Sequence, residues 1–215
     1  MRAKARKIGP GRQSITGMVA NGDDPIEFES TLERDYVVLT KFREPDAEIQ
    51  DQPEKVWFIN ERGRKTKYVP DFLVRHASGY TELVEVKPRK ILTEQKDFFA
   101  ARFDAAREFA RKRGWEFQIY SEIHIRIPML RNAHFLTPYR SQKVKPDLCA
   151  RLLLTVKRGR LPVSELIAAV AGNREERLYA IPQVWHLVST GRLSVDLNVL
   201  VSQSSMISLT QAERH

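Results

Sequence analysis

Apolar residues recur at helical spacing early in the chain. Phe28, Leu32, Tyr36 and Leu39 are three or four positions apart, which predicts one buried helical face. Ser30, with a glutamate three positions later, has the pattern of a capping box. We therefore expect a helix that begins at this serine.

Short β-forming runs follow this helix, and turn residues separate them. The pattern predicts strands at 56–59, 67–74 and 81–87, a helix at 93–113 that ends at Gly114, and a strand at 115–120. The order helix, three strands, helix, strand predicts a mixed α/β domain with an antiparallel meander and a parallel crossover.

The pattern changes after residue 138. It predicts helices at 146–157, 163–170 and 175–190, the last reset at Pro182, and a hairpin with strands at 193–200 and 206–209. Three helices and a β-ribbon are typical of a winged helix. We therefore divide the chain into a basic N-terminal arm at 1–27, an α/β domain at 28–138 and a winged-helix-like domain at 139–215.

The charge balance favours a nucleic-acid partner. Lys and Arg number 36 against 27 Asp and Glu, a formal net charge of +9. Such an excess attracts phosphate backbones through counterion release. An anionic membrane surface is the competing partner, but no amphipathic basic helix supports it. The basic arm at 1–27 is interpreted equally well as a phosphate-gripping segment or as a flexible tail.

Several classes of protein are excluded by the composition. The single cysteine, Cys149, permits neither an internal disulfide nor a cysteine-based zinc site. No apolar run approaches the roughly 18 residues of a membrane span, and no apolar segment follows the basic N-terminus as in a signal peptide. We expect a cytoplasmic protein with no membrane partner.

The strongest chemical signal lies on the third predicted strand. Side chains alternate along a strand, so Glu85 and Lys87 share one face while Val84 and Val86 occupy the other. Asp71 lies at the matching point of the preceding strand. Pairing across the intervening turn would bring the two carboxylates together.

Two adjacent carboxylates repel each other unless a cation neutralises them. Mg²⁺ suits this need because it prefers hard oxygen ligands and takes one or two protein carboxylates. It would polarise a phosphodiester and acidify a bound water. Lys87 could orient or deprotonate that water, and it could stabilise the negative charge that grows on the phosphate. The alternative is purely structural, since an aspartate after proline is common in turns and Glu-x-Lys is a frequent surface ion pair.

The pair Pro70-Asp71 followed by Glu85-Val86-Lys87 resembles the motif of the PD-(D/E)XK nucleases. Within that superfamily, Ser30-x-x-Glu33, Gln52-Pro53, Tyr68-x-Pro70-Asp71 and Glu85-Val86-Lys87-Pro88 resemble TnsA, the endonuclease subunit of certain heteromeric bacterial transposases. The resemblance covers residues 28–125. It implies a restriction-endonuclease-like mixed sheet flanked by helices, with a winged-helix-like domain after it.

The resemblance also implies roles for individual residues. Asp71 and Glu85 would hold Mg²⁺, for which Mn²⁺ substitutes, with the Val86 carbonyl as a further ligand. Lys87 would be the catalytic lysine, and Glu33 would complete the site. The implied activity is cleavage of double-stranded DNA at the 5′ ends of a transposon, beside a TnsB-like transposase and a TnsC-like AAA+ ATPase, in a bacterial, nucleoid-associated setting.

Some candidates have an equally good structural explanation. The local pattern explains Glu33 as a helix cap, and only the resemblance makes it a site residue. Glu29, one turn earlier, is the reserve candidate, and Gln52 is an accessory residue or a loop anchor. Arg89 and Lys90 follow the catalytic strand and could contact phosphate, or they form a solvated turn.

The C-terminal region carries a further basic group, which we interpret as non-specific DNA contacts or a docking surface: Lys157, Arg158, Arg160, Arg174 and Arg177. Two rival functions remain open at this point. One is a stand-alone PD-(D/E)XK restriction or repair endonuclease, and the other is a non-catalytic DNA-binding or scaffold protein.

Overall fold

The computed structural model describes residues 17–19 and 25–213. Most of the predicted basic arm, at 1–16 and 20–24, lies outside the described residues. The chain divides into two compact units at 1–126 and 127–215. Residues 127–138, which the sequence analysis placed with the first domain, therefore group with the second unit.

The first unit combines two helices of more than ten residues with short strands and two short helices. In chain order its elements are β1 (Gly17–Val19), β2 (Ile26–Phe28), α1 (Thr31–Arg43), β3 (Glu48–Asp51), β4 (Val56–Ile59), β5 (Lys65–Tyr68), β6 (Phe72–Arg75), β7 (Thr81–Val86), α2 (Arg89–Glu94), α3 (Lys96–Arg111), β8 (Glu116–Tyr120) and α4 (Glu122–Ile125).

A four-stranded mixed sheet in the order β3-β6-β7-β8 forms the centre of this unit. The β3-β6 and β6-β7 pairs are antiparallel, whereas β7 and β8 run parallel and are connected through α2 and α3. β4 and β5 form a separate antiparallel hairpin, and β1 pairs with β2. The predicted mixed α/β fold is confirmed.

Both faces of the sheet are covered by apolar side chains. On one face Leu73 and Leu83 pack with Ala106 and Ala110 of α3 and with Val56 of β4. On the other, the Tyr36 ring of α1 stacks on Phe72 at a centroid distance of 5.6 Å. Helix α1 begins as expected, because the Ser30 side chain accepts a hydrogen bond from the Glu33 amide.

Several details of the first unit differ from the sequence prediction. The strand expected at 56–59 belongs to the separate β4-β5 hairpin instead of the central meander, and α4 was not predicted. The short edge strand β3 was not predicted. The single strand expected at 67–74 is divided into β5 and β6, because Pro70 has no amide hydrogen for a ladder. The helix expected at 93–113 starts earlier, at Arg89, and is interrupted at Gln95, which separates α2 from α3.

The second unit is mainly helical. Its elements are α5 (Pro128–Leu136), α6 (Pro146–Val156), β9 (Leu161–Pro162), α7 (Val163–Val170), α8 (Arg174–Ser189), β10 (Leu193–Ser194) and β11 (Met206–Leu209), with 3-10 turns at Thr137–Ser141 and Gln211–Glu213. The three strands form an antiparallel sheet in the order β10-β11-β9.

Two predictions in the second unit were wrong in detail. Helix α8 is not reset at Pro182 but continues through it, and the Gln142 side-chain amide donates to the Pro182 carbonyl. The strand expected at 193–200 is reduced to β10, because buried Asn132 fixes the following loop. Its side chain donates to the Leu197 and Val199 carbonyls at 3.0 and 2.8 Å and accepts from the Val201 amide at 3.0 Å.

The helices within the described ranges 17–19 and 25–213 include none with the length and apolar character needed to cross a bilayer.

Candidate active site

Asp71 and Glu85 face each other at one end of the β6-β7 ladder. Asp71 immediately precedes Phe72, whose partner is Val84, so the register places it opposite Glu85. Its Oδ2 atom accepts a hydrogen bond from the Val86 amide at 2.8 Å. The Asp71 carboxylate thus accepts the kind of hydrogen bond that a backbone carbonyl of β6 would accept if the strand extended this far. The bond fixes the orientation of the carboxylate.

The Lys87 ammonium lies among three oxygen atoms. Its Nζ is 3.2 Å from Asp71 Oδ2, 3.0 Å from Glu85 Oε1 and 3.2 Å from the Val86 carbonyl oxygen. The structure therefore brings together the two acids, the carbonyl and the lysine that the sequence singled out. Because all three oxygens approach one nitrogen, a small cation has hard donors within reach.

Glu85 is the most strongly perturbed acid of this group. Burial raises its pKa, the negative charge of Asp71 raises it further, and Lys87 offsets part of the effect, giving a pKa of about 8. Glu85 is only 4% exposed, and among the described residues its Oε2 atom has no hydrogen-bond partner. An unsatisfied carboxylate oxygen in the interior is costly unless a cation or a proton compensates it.

Lys87 is held as a cation. Burial lowers its pKa, but the negative charges of Asp71 and Glu85 outweigh this effect, and the pKa is raised above its ordinary value. In this state the lysine can stabilise negative charge but cannot accept a proton. The contacts of Lys87 with Asp71 and Glu85 therefore support the expected role of stabilising charge on the phosphate over that of deprotonating a water.

Glu33 lies beside this group but is engaged in its own helix cap. Its Oε1 accepts from the Ser30 hydroxyl at 2.9 Å, and its Oε2 accepts from the Glu29 amide at 2.7 Å. Burial raises the pKa of Glu33, and the charge of Asp71 raises it further. Glu33 therefore makes the contacts of a helix cap and also lies close enough to Asp71 to be affected by its charge. Its role as a metal ligand stays a prediction.

Gln52 directly follows β3 and supports the site from there. Its amide donates to the Asp71 carbonyl at 2.8 Å, and its side-chain amide donates to Glu29 Oε1 at 3.0 Å. Its φ of 43° lies in the left-handed region, which is unfavourable for a residue with a side chain and is typically retained where function requires it. Gln52 and Glu29, both candidate accessory residues, are thus linked to each other and to Asp71.

A cleft of about 420 Å³ contains these groups. It is lined by Glu29, Glu33, Lys55, Lys67, Tyr68, Val69, Asp71, Glu85, Lys87, Phe99, Arg102 and Phe103. Three cations in this set, Lys55, Lys67 and Arg102, were not proposed from the sequence. Arg102 lies among Phe98, Phe99 and Phe103 of α3. A cation within such an aromatic run is the sequence signal by which it could have been identified. Burial and the charge of Glu85 raise the pKa of Tyr68, so its hydroxyl stays neutral.

The basic residues predicted to contact DNA do not line this cleft. Arg89 and Lys90 are exposed at the start of α2, and Lys90 is 3.8 Å from Glu94. Exposed positions in the second unit hold the others: Lys157, Arg158 and Arg160 follow α6, and Arg174 and Arg177 lie in the first turn of α8. Two glutamates in that turn offset the charge of the last pair.

The donors at this site suit a hard divalent cation. Across the described part of the chain, no group of three or more His, Cys, Asp or Glu side chains is arranged to hold a metal. Here the donors are two carboxylates and one backbone carbonyl. Mg²⁺ commonly uses one or two carboxylates and keeps several waters, so this smaller set fits it. The partnerless Oε2 of Glu85 supports the same conclusion.

A mixed sheet flanked by helices, with an acid pair and a lysine at the end of the β6-β7 ladder, is compatible with the restriction-endonuclease-like fold. Residues 47–122 match the family model described as the TnsA-like endonuclease N-terminal domain. The resemblance noted from the motif is thereby confirmed for this segment, which includes Asp71, Glu85 and Lys87 but not Glu33. The comparison with curated proteins gave no match.

Proposed function

We propose that this protein is a metal-dependent endodeoxyribonuclease that acts as TnsA does. It cleaves the 5′ ends of a transposon, while a TnsB-like transposase cleaves the 3′ ends and a TnsC-like AAA+ ATPase licenses the reaction. The observation that carries the proposal is the convergence of Asp71, Glu85 and Lys87 within the segment similar to the TnsA-like endonuclease domain.

The roles of the residues follow from their contacts. Asp71, Glu85 and the Val86 carbonyl would hold Mg²⁺, or Mn²⁺ in its place. When bound, this ion would polarise the scissile phosphodiester and lower the pKa of an attacking water. Lys87 stabilises the negative charge that grows on the phosphate. Glu33 carries a further carboxylate at the edge of the site, and Gln52 fixes the backbone at Asp71.

In the second unit, α5 is followed by α6, β9, α7, α8 and the β10-β11 hairpin, and β9 joins that hairpin in one sheet. This order supports the winged-helix interpretation. We infer that the unit contacts DNA without reading its sequence or docks a partner subunit. The exposed residues Lys157, Arg158, Arg160, Arg174 and Arg177 are the proposed contacts, as Arg89 and Lys90 are in the first unit.

A nicking assay tests the proposal. Supercoiled DNA that carries the transposon ends is incubated with the full chain and Mg²⁺ or Mn²⁺, with and without the partner transposase. We expect metal-dependent 5′ cleavage by the wild type and a loss of at least about 100-fold in the Asp71→Ala and Lys87→Ala variants. Asp46→Asn, which changes an exposed residue of the turn before β3, serves as the charge control and should cut normally.

Two outcomes would contradict the proposal. Cutting without any partner at one defined sequence would support a stand-alone restriction or repair nuclease. Unchanged transposition in the Asp71→Ala variant would support a non-catalytic DNA-binding or scaffold protein.

A further inference from the structure

The hairpin formed by β4 and β5 has a buried face and an open one. Val56 and Phe58 are buried, while the alternate residues Trp57 and Ile59 are 56% and 58% exposed. The register pairs Trp57 with Lys67 and Ile59 with Lys65. A large apolar ring is therefore displayed on the surface with a lysine directly opposite it on the other strand.

Cations dominate the open face and its surroundings. The Nζ atoms of Lys65 and Lys67 are 5.4 and 5.9 Å from the centre of the Trp57 ring, a cation–π arrangement. Residues 55–68 contain five basic side chains and one acidic side chain. The five are Lys55, Arg62, Arg64, Lys65 and Lys67.

The charge of these hairpin cations is not neutralised by any acidic side chain in the described part of the chain. Within the described ranges, none of the five has a carboxylate at ion-pair distance. The basic residues of α3 behave differently: Arg111 and Lys112 are 2.9 and 3.4 Å from Glu108. Uncompensated charge of one sign on an exposed surface creates a strong local field, which attracts a polyanion.

The charged surface continues into the cleft. Lys55 and Lys67 line it together with Asp71, Glu85 and Lys87. Arg102 lines it too, and its guanidinium carbon is 3.8 Å from the Phe98 ring centre and 5.7 Å from that of Phe58 in the hairpin. Among the described residues this guanidinium has no acidic partner. Cations of the hairpin and of α3 thus line the cleft that contains the acidic pair.

We propose that the open face of the β4-β5 hairpin binds the DNA backbone beside the cutting site. Lys65, Lys67 and Arg64 contact successive phosphates, Trp57 packs against deoxyribose, and Arg102 receives the backbone at the cleft. This inference rests on the proposed function, since it names the surface by which the nuclease holds its substrate. A backbone-directed surface carries no sequence information, which agrees with targeting by partner subunits.

DNA binding measured without a metal tests this surface separately from catalysis. The full chain, with EDTA present, is titrated onto a fluorescent duplex at several salt concentrations. Each phosphate contact contributes ~0.9 to the slope of log affinity against log salt concentration, so the slope of the Arg64→Ala/Lys65→Ala variant should be smaller by about 1.8. Its affinity at about 0.1 M salt should be about 60-fold lower than that of the wild type. The matched control, Arg111→Ala/Lys112→Ala, removes equal charge from paired residues and should change the affinity less than about threefold.

Trp57 supplies an independent readout. We expect DNA to protect the wild-type emission from acrylamide quenching, and the Trp57→Phe variant to lose that protection. Because these positions are exposed, thermal unfolding should stay unchanged. If the double variant does unfold early, Lys65→Glu alone repeats the binding test. Equal affinities and slopes in the hairpin and control variants, or no protection of Trp57, would overturn the inference.

The cleavage assay separates the two proposals. Hairpin variants should need a higher DNA concentration for half-maximal cutting, in proportion to their loss of affinity, whereas the Arg111→Ala/Lys112→Ala control should need about the same concentration as the wild type. If the wild type binds through the hairpin but never cuts, the nuclease proposal fails and the binding surface stands. If the wild type cuts but the hairpin variants bind DNA normally, the nuclease proposal stands and the proposed DNA-binding surface is refuted. The hairpin face is then to be tested for binding to the partner transposase.

Discussion

Replacing Glu85 with glutamine should stabilise the protein in the absence of metal, although it removes a residue of the active site. The folded protein holds the Glu85 pKa near 8 because of burial and the charge of Asp71, against an ordinary value of 4.5. Between these two values the folded state binds more protons at this position than the unfolded state. The free energy of unfolding therefore decreases as the pH rises through this interval.

The magnitude follows from the same interval. Each pH unit between the two pKa values costs about 1.4 kcal/mol, so the metal-free wild type should lose ~3 kcal/mol relative to Glu85→Gln between about pH 5 and 7.5. Glutamine is uncharged and nearly isosteric, so it avoids this cost. Titrating groups distant from Glu85 behave alike in both proteins and cancel in the difference, whereas Asp71, Lys87 and Glu33 interact electrostatically with Glu85 and contribute to it.

Urea unfolding of the two proteins at a series of pH values measures this difference. With EDTA present, the advantage of Glu85→Gln should increase with pH. With Mg²⁺ it should shrink, because an ion that binds only the folded wild type stabilises it. Glu61→Gln, an equal charge change at an exposed residue, should show no such trend. A difference that stays constant from about pH 5 to 7.5 would refute this account of the site.

Three further predictions concern other parts of the molecule. Lys87→Met should reduce cleavage by about 100- to 1,000-fold while DNA affinity falls less than about tenfold, since one cation among several is lost from binding; equal losses in both would contradict its electrostatic role. Gln52→Ala should lower kcat by about 10- to 100-fold in steady-state nicking with little change in KM, because losing the side-chain bond to Glu29 loosens the backbone whose amide bonds the Asp71 carbonyl. Asn132→Ala should destabilise the second unit by about 2–4 kcal/mol in urea unfolding, because three loop groups lose their partner, whereas exposed Asn198→Ala should cost under ~1 kcal/mol.

The acidic pair and its lysine could be predicted because their arrangement depends on local rules. Alternation along β7 puts Glu85 and Lys87 on one face, and a short turn fixes the register that sets Asp71 opposite Glu85. The helix start at Ser30 was predicted for the same reason, since a cap is satisfied within one turn. The segment similar to the TnsA-like domain contains the acid pair and the lysine.

Other features depended on distant neighbours. β3 has little β-forming pattern of its own and is a strand because β6 supplies its hydrogen bonds. Helix α8 continues through Pro182, and the Gln142 side chain bonds the Pro182 carbonyl from a segment 40 residues away. The segment after β10 has alternating apolar and polar residues, as a strand would. Its backbone groups bond to the Asn132 side chain instead of to a neighbouring strand.

The sequence by itself determined which chemical groups the chain carries and which share a strand face, because side-chain direction is a property of neighbouring residues. Only the tertiary structure decided which cations reach the cleft. Lys55, Lys67 and Arg102 come from a hairpin and a helix far apart in sequence, and packing between these elements places them beside Asp71 and Glu85. Burial also set the pKa of Glu85, since the loss of solvent depends on everything packed around that strand.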